Sequence, residues 1–65
     1  MSSKLASSGD LIGIGKLISQ FYYGSTITLI EQDGYWDVHN LKGKISGVRV
    51  VKKGKRYIFE SIHNE

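Results

Sequence analysis

Leu29-Ile30-Glu31-Gln32-Asp33-Gly34-Tyr35-Trp36-Asp37-Val38 is the stretch that decides the fold. Asp33-Gly34 is a strong two-residue hairpin signal, because both central positions of the favoured turn take positive φ. With the turn there, Glu31 pairs with Trp36, Ile30 with Asp37 and Leu29 with Val38. Ile27, Leu29, Trp36 and Val38 then share one face of a sheet. Thr28, Ile30, Gln32, Tyr35, Asp37 and His39 share the other.

Working toward the C-terminus, Lys53-Gly54 reads as the turn of a second hairpin. It pairs Val50 with Tyr57 and Val48 with Phe59, and sets Arg49 against Ile58 and Val51 against Arg56. A three-residue loop, Lys42-Gly43-Lys44, joins the two hairpins by pairing Val38 with Val48 and Trp36 with Val50. A two-residue loop would place Arg49 against Trp36 on the apolar face, which the cost of burying a charge disfavours. Under the chosen loop Asp37 lies opposite Arg49, and a four-stranded antiparallel meander carries one continuous apolar face.

Toward the N-terminus, Leu11, Ile14, Leu17, Ile18 and Phe21 recur at the three- and four-residue steps of a helix running from about Gly9 to Tyr22. Ser7-Ser8-Gly9-Asp10 supplies a start, with a Ser cap and an acid three residues on. Gly24 supplies a stop. Gly13 and Gly15 weaken the helix unless they allow a close approach to a packed surface. The expected fold is α+β: one N-terminal helix packed on the meander. Residues 9–65 form a single small domain behind a flexible segment 1–8. Its core is Ile27, Leu29, Trp36, Val38, Val48, Val50, Tyr57 and Phe59, with Trp36 buried beneath the helix.

The 65 residues contain no cysteine and no proline. A chain this short buries only about 60% of the surface its unfolded form exposes, and here no disulfide or thiolate metal site reinforces it. No apolar run is long enough for a signal-peptide core or a membrane span. A cytoplasmic protein without membrane contact is expected.

Charge points to a partner. Seven of the nine basic residues (Lys42, Lys44, Arg49, Lys52, Lys53, Lys55 and Arg56) fall within residues 42–56, a stretch without an acid. At strand spacing these cations occupy the rim and the uncovered face of the sheet, where Tyr35 and His39 are placed to stack on bases. The expected function is a non-enzymatic binding module for nucleic acid, DNA ahead of RNA, of the kind that serves as an accessory regulator of a phage or mobile element. The alternative is a protein-binding inhibitor or adaptor that docks on a larger protein through its sheet face or edge strand. Ile30, Val51 and Ile58 cluster on the uncovered face as a dimer or partner surface, and a homodimer is expected ahead of a monomer.

No catalytic constellation, cofactor motif or metal-ligand set is expected. His39 and His63 stand alone. Gly13-Ile14-Gly15-Lys16 departs from a phosphate loop, because Gly9 lies six residues before Gly15 and Leu17 replaces the required Ser or Thr. The segment Lys42-Gly43-Lys44-Ile45, followed by Val50-Val51-Lys52-Lys53-Gly54-Lys55-Arg56-Tyr57-Ile58-Phe59-Glu60, resembles the end of the second helix and the wing of small phage excisionases and related winged-helix DNA-binding proteins. That resemblance covers under a third of the chain. It implies DNA binding and helical geometry over residues 35–41, where the alternation around Asp33-Gly34 calls for a strand. The proline that usually precedes the wing is absent.

Overall fold

The computed structural model describes residues 2–62. In chain order these form strand β1 (Ser2–Ser8), helix α1 (Leu11–Phe21), and strands β2 (Thr28–Glu31), β3 (Tyr35–Asn40), β4 (Gly43–Lys44), β5 (Val48–Lys53) and β6 (Arg56–Ile62). The α+β class holds, but the antiparallel sheet has six strands rather than four. Its order is β1-β6-β5-β3-β2, with the two-residue β4 paired to β3.

The first hairpin has the register read from Asp33-Gly34: Leu29 opposite Val38, Ile30 opposite Asp37, Glu31 opposite Trp36. The turn itself differs, since only Gly34 has positive φ, at 85°. Residues 35–40 are a strand, so the helical geometry implied by the winged-helix resemblance is not adopted.

The second hairpin is shifted by two residues. Val50 pairs with Phe59, Val51 with Ile58, Arg49 with Glu60, and Lys53 with Arg56. The turn is therefore Gly54-Lys55, with Gly54 at φ 61° in the first central position, where the backbone of a Gly-X hairpin demands it. A Lys53-Gly54 turn would have put Lys53 at that left-handed position, where a side chain is disfavoured. Because side chains alternate with period two, the shift leaves Val48, Val50, Tyr57 and Phe59 on the apolar face.

The middle connection is longer than a simple loop. Asn40 Oδ1 accepts from the Lys42 amide at 2.8 Å, closing a turn that pairs Asn40 with Gly43 and His39 with Lys44. The chain then steps out through Ile45, Ser46 and Gly47 before β5 meets β3 with Trp36 opposite Val50. Consequently the carbonyl of Val38 takes the amide of Ile45 rather than a group of Val48.

Residues 2–8, expected to be flexible, are β1, paired along β6 from Ser2–Ile62 to Ser8–Tyr57 with a bulge near Leu5. Alternation is weak in Ser-Ser-Lys-Leu-Ala-Ser-Ser, and what holds the strand is the edge of β6, together with Ala6 packing on the core. The helix begins two residues later than expected. Asp10, not Ser7, is the N-cap, and its Oδ1 accepts from the Gly13 amide at 2.5 Å. A Cβ on Gly13 would collide with Ser8 Oγ and Asp10 Oδ1, so this glycine is needed for a close approach.

Ile14, Ile18, Val38, Val48, Val50 and Phe59 form the buried core. Phe21 and Tyr22 meet Phe59 edge-on at 5.5 and 6.3 Å. Burial raises the Tyr22 phenol above its ordinary pKa. The three-turn helix packs against β1 and β6, so it does not enclose the whole apolar face. Leu17 and Phe21, expected in the covering stripe, are 38% and 49% exposed. Trp36 is half-buried rather than sealed beneath the helix, and stands edge-on to Tyr57 at 5.4 Å. No helix among the described residues is long and apolar enough to cross a membrane.

Candidate nucleic-acid interface

Pairing β5 between β3 and β6 brings acids to a stretch that has none of its own. Arg49 Nε donates to Glu60 Oε2 at 2.8 Å, and Glu60 is only 3% exposed. The Arg49 guanidinium also lies 6.0 Å from the centre of the Tyr35 ring. Lys44 Nζ is 3.6 Å from Asp37 Oδ1, with Asp37 itself buried. Lys4 stands opposite Glu60 in the register of β1. The uncovered sheet face therefore carries a band of alternating charge, not a positive field. Its carboxylates are shielded, and no buried side-chain polar atom among the described residues lacks a partner.

This band borders a cavity of about 250 Å³ lined by Tyr35, Asp37, Lys44, Ser46, Arg49 and Ile62. Tyr35, expected to stack on bases, already has Arg49 near its ring. His39 is half-buried, opposite Thr28 and Lys44 on the same face. Val51 and Ile58 are paired and half-buried beside the charged band. Ile30 is 41% exposed on β2 at the sheet edge, so these three do not form one open apolar patch.

The end of the β5–β6 hairpin is different. Lys52, Lys53, Lys55 and Arg56 are all exposed. No carboxylate among the described residues lies within ion-pair distance of any of them. Strand pairing explains this: β3 begins at Tyr35 opposite Val51, and β1 ends at Ser8 opposite Tyr57, so the turn projects past both neighbours. Arg56 Nε donates to Ser7 Oγ at 2.8 Å, which holds its guanidinium without neutralising it. Lys52 Nζ lies 5.6 Å from the Tyr57 ring centre, placing the Trp36–Tyr57 pair beside the cationic tip. Lys42 is exposed in the turn at the opposite end of the sheet.

The sequence grouped seven cations, and the fold divides them into a neutralised pair, a tip of four and the distant Lys42. Glu60 was missed because the hairpin register was two residues off. The expected register already set Asp37 opposite Arg49, so the charge of Arg49 alone did not call for a second carboxylate. Among the described residues no three His, Cys, Asp or Glu side chains converge on a metal-sized site; His63 lies outside those residues. No family model, curated protein or solved structure matches the chain.

Proposed function

We propose that this chain is a small, non-enzymatic binding module that holds the phosphate backbone of nucleic acid, DNA ahead of RNA, with the tip of the β5–β6 hairpin. The observation that carries the reading is that Lys52, Lys53, Lys55 and Arg56 project together, exposed and without carboxylate partners. Phosphate contacts of this kind position a protein without reading sequence. Base contact then falls to the Trp36–Tyr57 edge beside Lys52 rather than to Tyr35. A cytoplasmic setting and a role as accessory regulator of a phage or mobile element accompany this reading.

Salt dependence tests it. Each lysine that neutralises a duplex phosphate adds about 0.9 to the slope of log affinity against log salt, so replacing Lys52, Lys53 and Lys55 by Ala should flatten the slope by about two to three units. The triple variant should remain folded, because these side chains lie outside the core. Absence of any salt-sensitive affinity of the wild type for single- or double-stranded DNA or RNA near 50 mM salt removes the reading. The protein-binding alternative would then stand, with docking largely insensitive to salt.

A further inference from the structure

The two edges of the sheet are defended unequally. Edge strands expose unpaired amides and carbonyls, and proteins blunt them with bulges, lysines or proline. β1 has a bulge near Leu5 and carries Lys4. β2 has neither, although it is the other edge of the sheet.

Its free groups can be assigned. Gln32 donates to the Tyr35 carbonyl, so Gln32–Tyr35 is a hydrogen-bonded pair. By alternation Ile30–Asp37 and Thr28–His39 are also such pairs, whereas Ile27, Leu29 and Glu31 turn their N–H and C=O groups away from β3. The opposite side of β3 agrees, since Val38, the partner of Leu29, gives its carbonyl to Ile45. Beside this edge runs a groove of about 450 Å³ between helix and strand, lined by Leu11, Ile12, Lys16, Ile27 and Leu29 among others. Ile12 on its wall is 76% exposed.

We propose that β2 is the two-fold seam of a homodimer, in which Leu29 lies opposite the partner's Leu29, Ile27 opposite the partner's Glu31 and Thr28 opposite the partner's Ile30. This register is antiparallel and self-complementary. It satisfies the outward amide and carbonyl of all three residues in both copies. A register centred on Glu31 would set two carboxylates against each other. Centred on Leu29, each Glu31 instead enters the partner's groove at Ile27, where Lys16 also lies. The charge of one copy thus meets its complement in the other. The helix packs mainly against β1 and β6 and stands beside β2 as the wall of this groove, on the face that the two copies share. This proposal is independent of nucleic-acid binding and uses a different surface from the tip.

The chain has no cysteine, so the register is directly readable by single-cysteine cross-linking of the full chain. A disulfide needs Cα atoms about 4.4–6.8 Å apart, and directly opposed antiparallel residues are about 4.5–5.5 Å apart. Leu29→Cys should cross-link to itself under mild oxidation. Thr28→Cys and Ile30→Cys should not do so singly, but an equal mixture of the two should give a disulfide-linked heterodimer. Wild type should sediment as a dimer. Glu31→Pro removes an amide that β3 does not use, and should weaken dimerisation roughly 10- to 100-fold through loss of two symmetry-related hydrogen bonds. A monomeric wild type overturns the proposal. So does a dimer in which Leu29→Cys fails to cross-link, which would mean association through another surface. Should Glu31→Pro fail to fold, the cysteine series still decides.

Discussion

The middle of β5 and the tip of its hairpin are only three residues apart, yet they treat positive charge in opposite ways. Arg49 lies between β3 and β6, and its guanidinium is held by a carboxylate that is almost fully buried. Lys52, Lys53, Lys55 and Arg56 lie where the neighbouring strands run out. An acid-free run of sequence thus folds into a neutral band and a cationic point. Whether a basic residue is available to a ligand depends on what the adjoining strands bring beside it, and that is decided by register.

The largest effect is expected at Arg49. Arg49→Ala leaves Glu60 charged, buried and unpaired, and should cost about 3 kcal/mol in urea unfolding, against under about 0.5 kcal/mol for Lys53→Ala at the tip. Equal losses at the two positions would dissolve the distinction. Glu60→Gln should be milder, about 1 kcal/mol, because the amide oxygen still accepts from Arg49 and the guanidinium can reach water. Lys44→Ala sharpens the contrast within the band: its side chain is 57% exposed and its contact with Asp37 is 3.6 Å, so unfolding should register about 0–1 kcal/mol. The smallest effect is expected at Asp33, whose turn shares the hairpin tip's end of the sheet. Asp33→Asn should tighten nucleic-acid binding by about 0.5 kcal/mol, roughly twofold, in titrations at low salt, and the gain should vanish as salt rises.

What could be read in the sequence follows from where local chemistry is decisive. Asp33-Gly34 sits between two alternating apolar runs, and the register of β2 on β3 follows from it. Parity protected the core: Val50 and Phe59 were placed on the right face even though their pairing was two residues off. The turn of the β5–β6 hairpin was located to within one residue, since a glycine amid lysines has no apolar surface to bury. β1 was not readable, because a serine-rich segment has no period of its own and is ordered by an edge about fifty residues further along the chain. The same distance hid Ser7 as a partner of Arg56. The step through Ile45, Ser46 and Gly47 was hidden for another reason. Asn40 closes a turn of its own with the Lys42 amide, and a side chain bonding to nearby backbone competes with continuation of the strand.

The pairing of β1 with β6 also sets a timetable. Ser2–Ser8 precedes the other described strands, and its one strand neighbour among the described residues, β6, follows all of them. At synthesis rates of about 5–20 residues per second the interval is roughly 3–10 s. Through that wait Ile14 and Ile18 have no Phe59 to cover. The sheet cannot grow outward from its N-terminal edge; its local hairpins, β2–β3 and β5–β6, are the pairings open to it early, and the long-range contacts that slow folding at a given stability close afterwards. Until β6 arrives, the helix has only β1 of its two strand partners to pack against.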